Sequence, residues 1–162
     1  MEYDLLIIGG GIAGTSAGAR LAQIGTTCVL EAEPALAYHA SGRSAALFEA
    51  NYGHPVTVAL SRASQVDHET LDGGFLSPRG LMMLAGPGEE AALAQDIATM
   101  GLTRISPDEA LGHVPILDTA HISAIGYHAE AWDIDTDRMV QHFAKSIRAN
   151  GIVHTGAPVT QI

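Results

Sequence analysis

The chain has 162 residues, 47% hydrophobic and 16% charged, with a formal net charge of −10 and a sequence pI near 5.0. This is a soluble, globular composition of roughly one-domain length, and without a Lys/Arg cluster it excludes a surface built for nucleic acid or an anionic membrane. No apolar run reaches the ~18 residues of a membrane helix, and no basic leader precedes the first strand-like residues, so a cytoplasmic protein is the expectation.

The first segment, YDLLIIG (residues 3–9), reads as a strand. Leu5, Leu6, Ile7 and Ile8 are consecutive rather than alternating, which suits a central parallel strand covered on both faces. An Ala-rich helix follows from Ile12 to Ile24, with Gly25 placed to end it in a left-handed cap. TTCVLE (residues 26–31) is β-branched and apolar and reads as a second strand. Cys28, the only cysteine, lies inside it; it forms no internal disulfide and reads as a small buried hydrophobe.

Between these strands Gly9, Gly11 and Gly14 form G-x-G-x-x-G, directly after a strand and opening a helix. Gly9 permits the tight turn and Gly11 lets a pyrophosphate approach the backbone. Gly14, with Gly18 one helical turn on, lets the helix pack closely on the strands. Free N–H groups at the helix start then face the phosphates. Glu31 closes the second strand, where an acidic side chain accepts hydrogen bonds from the ribose of an adenine nucleotide. Ala32 and Glu33 offer no Arg for a 2′-phosphate, which disfavours NADP and leaves NAD and FAD open.

The next stretch, AYHASGRSAALFEANYG (residues 37–53), gathers small residues around one arginine: Ala40, Ser41, Gly42, Arg43, Ser44, Ala45 and Ala46. Small side chains admit a large flat ligand, Arg43 can neutralise phosphate and the serines can donate hydrogen bonds. The other reading is an Ala-rich helix with a surface Arg. Further on, a strand is expected over Gly80–Ala85 and a helix ending at Gly101. Ser106, Pro107 and Glu109 have the spacing of a capping box. ISAIGYHAEAWDIDT (residues 122–136) reads as a strand and its exit loop. A helix over Thr136–Ala149 carries an apolar stripe of Met139, Val140, Phe143 and Ile147, which marks core. Asp135 to Asp137 cap it, and Asn150-Gly151 ends it. IVHTG should return as a strand to the parallel sheet and PVTQI should begin the next one. The eight histidines show no metal-ligand spacing, and no nucleophile elbow is present, so no metal and no side-chain nucleophile is expected.

GGGIAGTSAGARLA, VLEAE, YHASGRSAA and DIDTDRMV together resemble the D-amino-acid oxidase superfamily of FAD enzymes, and within it the D-amino-acid dehydrogenases of the D-arginine dehydrogenase type. The likeness runs from Tyr3 to the end. It implies a Rossmann-type α/β FAD domain: 1–75 its first part, 76–134 the start of an inserted α+β substrate domain, and 135–162 the return. It implies FAD, with Ile12 and Ala13 at the pyrophosphate, Glu31 and Ala32 at ribose and adenine, and Ala40 to Leu47 beside pyrophosphate and flavin. Val159 matches a position whose backbone meets adenine. Leu47, Tyr52 and Leu81 fall at substrate-pocket positions. Leu47 stands where the arginine-type enzyme has a polar His, and Leu81 where a cationic substrate would want a carboxylate, so a more apolar substrate is expected.

The activity implied is oxidation of the C–N bond of a D-amino acid, with hydride passing from Cα to flavin N5 and an imino acid as product, by an oxidase or a dehydrogenase with an electron acceptor the sequence leaves open. No catalytic side chain is required of this chain. Family enzymes are more than twice this length, so the chain is expected to be an N-terminal piece. The alternatives are oxidation of a 2-hydroxy acid, sarcosine or glycine on the same fold, or an inactive nucleotide-binding fragment.

Overall fold

The aliphatic run at the start of the chain forms strand β1 (Leu5–Ile8), and α1 (Ile12–Leu21) and β2 (Thr27–Leu30) complete a β-turn-α-β unit. Then come β3 (Leu47–Phe48), α2 (Pro55–Thr70), β4 (Leu76–Pro78), β5 (Leu81–Ala85) and α3 (Glu90–Met100). The chain continues with β6 (Thr103–Arg104), α4 (Pro107–His113), β7 (Ala124–His128), β8 (Trp132–Ile134), α5 (Thr136–Arg148) and β9 (Gly151–His154). The structure is a computed structural model and describes residues 2–161. It divides into two units, one of residues up to Ala46 together with those from Ile134 on, the other of Leu47–Asp133. Residues 47–75 therefore group with the second unit.

The first unit is built on a parallel sheet of order β1-β2-β9. Leu5 pairs with Thr27 and Thr27 with Gly151, so the strand expected after α5 does return beside β2. The central strand is β2, whose Thr27, Cys28 and Val29 are all buried. Burial pushes the Cys28 thiol pKa up. β1 corrects the expectation of a central strand: among the described residues it lies at the edge, with Leu6 61% and Ile8 52% exposed. A consecutive apolar run records that both faces can be buried and leaves strand order open.

α5 packs as its stripe predicts, with Met139, Val140, Ala144 and Ile147 buried. Ile147 joins Ala19 and Val29 in one core cluster, against Ile7, Phe143 and Val153. Fully burying side chains such as Val140 and Ile147 stabilises the fold by about 1.5–3 kcal/mol each. The Asp135 side chain caps the helix by accepting from Arg138 N at 2.9 Å.

Two terminal expectations need correction. α1 stops at Leu21 with Ala22 in right-handed geometry, and Ile24 lies 81% exposed rather than on a helical face. The orphan carbonyls at that end are met by the Asn150 side chain, whose Nδ2 donates to Ala22 O at 3.0 Å and Gly25 O at 3.3 Å. With those acceptors satisfied, a left-handed glycine is unnecessary. After β9, residues 157–161 form no strand. Gly156, at φ +65°, turns the chain so that its N–H donates to Glu33 O and that of Ala157 to Glu31 O.

The second unit holds a sheet of order β3-β8-β4, in which β3 and β8 run antiparallel, and an antiparallel one of order β5-β7-β6. α3 covers the latter through Leu93, which clusters with Ala85 and Ala124, flanked by Met83 and Ile97. It ends at Gly101 in the left-handed conformation, as expected. α4 carries the full capping box: Ser106 Oγ accepts from Glu109 N at 3.2 Å and Glu109 Oε2 from Ser106 N at 2.7 Å. The Ser106 amide and hydroxyl hold the Glu109 carboxyl below its usual pKa. Among the described residues no helix is long and apolar enough to cross a membrane.

Candidate functional site

The turn between β1 and α1 is shaped by Gly9, at φ +103°, whose N–H donates to Leu30 O at 2.8 Å. That conformation strains any residue with a Cβ. A Cβ on Gly14 would stand 1.9 Å from Gly9 O, so helix and turn meet at a distance only glycine allows. α1 begins at Gly11, which has no side chain to cap it, and no acidic residue sits in its first turn. The first turn itself therefore brings no negative charge to the positive end of the helix dipole. Ser41 Oγ, 3.0 Å from Ile12 N, accepts the first N–H.

Glu31 lies directly beneath this turn. Its Oε2 accepts from Gly10 N at 2.6 Å and its Oε1 from Glu33 N at 2.9 Å. The Glu33 amide holds the carboxyl below its ordinary pKa; the Gly10 amide and His39 act the same way, against the opposing effect of burial. Glu31 is therefore an anchored carboxylate, 8% exposed, with acceptor lone pairs beyond those two bonds.

Residues 37–46 are sewn onto the same turn. Ala37 N donates to Gly10 O at 3.1 Å, and a Cβ on Gly42 would stand 2.3 Å from Ala37 O. The segment is a short 3₁₀ turn over Ala40–Gly42 followed by a bend at Arg43 and Ser44, so the Ala-rich helix does not form. Gly9, Gly11, Ile12, Gly14, Glu31 and Ser41 come together. Ala32, Ala40, Gly42, Ser44 and Ala45 are exposed, and Ala46, half-buried at φ +51°, donates its N–H to Ser44 Oγ at 3.1 Å. Arg43 points elsewhere: its Nε donates to Tyr38 O at 2.9 Å and its guanidinium lies 4.9 Å over the Tyr38 ring. Val159, 36% exposed, lies two residues beyond the Ala157–Glu31 hydrogen bond. A helix terminus without acidic residues in its first turn, glycine-only clearances and an anchored carboxylate fit the ADP half of a dinucleotide.

A separate cavity of about 130 Å³ lies in the second unit, lined by Leu47, Glu49, Tyr52, Leu81, Met83 and Met100, and its walls present no polar surface. The three predicted substrate residues, Leu47 and Tyr52 from one stretch and Leu81 from a later strand, thus line one cavity. Leu47 comes from β3, Leu81 and Met83 from β5, and Met100 is the last residue of α3. Tyr52, 66% exposed, contributes ring carbon and keeps its hydroxyl out of the wall. Asn51 holds the loop in place: its Nδ2 donates to Met100 O at 3.0 Å, and its Oδ1 accepts from Arg62 Nη2 at 2.7 Å.

Sequence reasoning missed Glu49, Met83, Met100 and His128. Glu49 is buried, with Oε2 2.6 Å from His128 Nδ1. The two are 79 positions apart and come together only in the folded second unit. Met83 lies two residues after Leu81 on one strand, so period-2 alternation would have placed it on the same face.

A family model described as FAD dependent oxidoreductase (DAO) matches residues 4–162. The chain belongs to this family. Its fold is the α/β arrangement of FAD-binding DAO-type proteins, and the family's cofactor is FAD. L-α-glycerophosphate oxidase from Mycoplasma pneumoniae superposes with a TM-score of 0.81 at 20% identity, over 99% of this chain and 46% of that one. Glycine oxidase from Geobacillus kaustophilus gives 0.78 at 22% identity, over 95% and 46%. L-proline dehydrogenase from P. horikoshii gives 0.80 at 19%, over 96% and 44%. The chain thus spans about half the length of the solved structures it matches.

Proposed function

We propose that this DAO-family chain holds the ADP half of FAD on Gly9, Gly11, Ile12, Ala13, Gly14, Glu31, Ala32 and Val159, with residues 40–47 along pyrophosphate and flavin. We infer further that the protein oxidises the C–N bond of an amino acid with an apolar side chain, of D configuration as the sequence resemblance implies. The observation carrying the substrate class is the cavity lined by Leu47, Tyr52, Leu81, Met83 and Met100, which presents no polar surface. A cavity of this size and lining admits a small apolar group. It offers nothing to a guanidinium or a phosphate, and a substrate without a side chain, such as glycine, leaves it unfilled.

FAD, when bound, supplies the acceptor for the electron pair leaving the substrate carbon. The chain's own residues do the rest of the work assigned here. The first turn of α1 offers N–H groups to the pyrophosphate, and Glu31 accepts from ribose hydroxyls while Gly10 and Glu33 keep it ionised and fixed. The cavity fixes the substrate by desolvating its side chain.

The test is anaerobic titration of the whole flavoprotein with D- and L-leucine, D-methionine, D-arginine, glycine, sarcosine and a 2-hydroxy acid. Flavin bleaching fastest with the apolar D-amino acids is expected. Best bleaching by glycine, sarcosine or the hydroxy acid overturns the substrate class. Colourless protein yielding no flavin on denaturation overturns the cofactor assignment.

A further inference from the structure

The cavity in the second unit contains a contradiction. Its walls present no polar surface, yet Glu49 is one of the six lining residues. The resolution lies in where its oxygens go. The Glu49 side chain is only 2% exposed; Oε1 accepts the Asn51 N–H at 2.9 Å, and Oε2 sits 2.6 Å from His128 Nδ1. In the tautomer that carries its proton on Nδ1, the imidazole donates and the Glu49 oxygen accepts. Both oxygens are held out of the cavity and Glu49 shows it carbon alone. His128 reaches Glu49 from β7, where it stands in register with Leu81, itself a lining residue.

A carboxylate in the wall of a side-chain cavity is what a cationic substrate would need, as the reading of Leu81 anticipated. Here it stands at position 49 and is already engaged. We propose that His128 is a specificity-determining positioning residue: it sequesters the Glu49 carboxylate and so keeps the cavity apolar, and removing its donor exposes a latent cation site. This rests on the cavity's role as the substrate side-chain pocket. It accounts for two otherwise unexplained facts, a nearly fully buried carboxylate and a His side chain only 15% exposed, neither of which the proposed chemistry uses. Left with the Asn51 N–H alone, a buried carboxylate pays a large desolvation penalty on its other oxygen, so a cation in the cavity becomes the best available partner for it.

The experiment uses the flavin-loaded protein with His128→Phe, which keeps a ring and removes the donor, and the double variant Glu49→Gln/His128→Phe. One readout is the ratio of kcat/KM for D-lysine to that for D-leucine. The other needs no turnover: shifts of the assigned Met83 and Met100 methyl resonances on titration with n-butylammonium or 1-butanol. In the native protein 1-butanol should shift both methyls and n-butylammonium should not. H128F should raise the lysine-to-leucine ratio about tenfold or more, the scale of one charge-assisted hydrogen bond, and let n-butylammonium shift the methyls. The double variant should lose both gains, and His128→Asn, which keeps an N–H donor, should stay close to native in the ratio. An equal fall for both substrates in H128F is what a merely structural role produces and overturns the proposal. So does a native cavity that binds n-butylammonium as well as 1-butanol, a measurement available even if H128F does not fold. If the probes switch as expected while no amino acid is oxidised, the proposed reaction fails and the sequestration stands.

Discussion

Gly14→Ala and Gly18→Ala make the same change on the same helix and should behave differently. An added Cβ at Gly14 would lie 1.9 Å from Gly9 O, where ordinary contact begins near 3.4 Å. The obstacle is a backbone carbonyl in a turn fixed by the Gly9–Leu30 hydrogen bond, so relief requires moving the helix off the strand. Overpacking of this kind costs about 3 kcal/mol, at the upper end of its usual range. Replacing a helical glycine returns about 1 kcal/mol. The net loss is about 2 kcal/mol, or roughly 4–8 °C in Tm for a chain of this size. At Gly18 the Cβ would meet Ile147 Cδ1 at 2.8 Å, the far end of a side chain that can shift by a small rotation. That cost, about 1 kcal/mol, roughly cancels the helical gain. Thermal melts and flavin-fluorescence titrations of both variants check this. Gly14→Ala should melt several degrees lower and bind FAD at least about tenfold more weakly, because the moved helix start is the one offered to the pyrophosphate. Gly18→Ala should stay close to native in both. A Gly14→Ala protein with unchanged Tm and FAD affinity would refute the clearance reasoning and with it the packing role of the motif.

Glu31 makes stability fall in acid. Its folded pKa is depressed below 4.5, so its contribution is fully present above that value and is lost as pH falls through the folded pKa; Glu31→Gln should flatten urea-unfolding stability in this acid range while weakening FAD binding at neutral pH. Ser106→Ala removes one half of the α4 capping box and should cost about 1 kcal/mol, a Tm drop of roughly 2–4 °C, with flavin content unchanged. A Tm within error of native would show that the short α4 is held by its packing instead.

Much of this was readable in the residues. The α5 stripe, the Ser106 box and the Gly101 cap are local signals, and each formed where its spacing placed it. The glycine turn was readable because Gly9 answers a positive φ and Gly14 a backbone clearance that side chains do not tolerate. α2 was missed for a physical reason: none of its 16 residues is buried, so no apolar stripe marks it, and Val56, Leu60 and Val66 are all more than 60% exposed. The edge position of β1 was unreadable because strand order is fixed by pairings with β2, not by the composition of β1. The Glu49–His128 pair carries no local pattern at all, since it exists only once the second unit has folded.

The hydrogen bond from Ile134 N to Ala46 O, 2.8 Å long, bears on how the chain folds. The sheet of the first unit is finished by β9, whose Gly151 pairs with Thr27 across most of the chain. Closing so long a loop is slow, and contacts of such separation retard folding. Once Ala46 and Ile134 are joined, the path from Thr27 to Gly151 shortens to a few tens of residues. That contact continues the antiparallel pairing of Leu47 with Asp133 and Phe48 with Trp132, and together they are placed to act as a kinetic clasp. With Leu47–Asp133 looped out between its ends, β9 can find β2 almost as if the inserted unit were absent, and weakening the clasp should slow the completion of the sheet far more than it destabilises it.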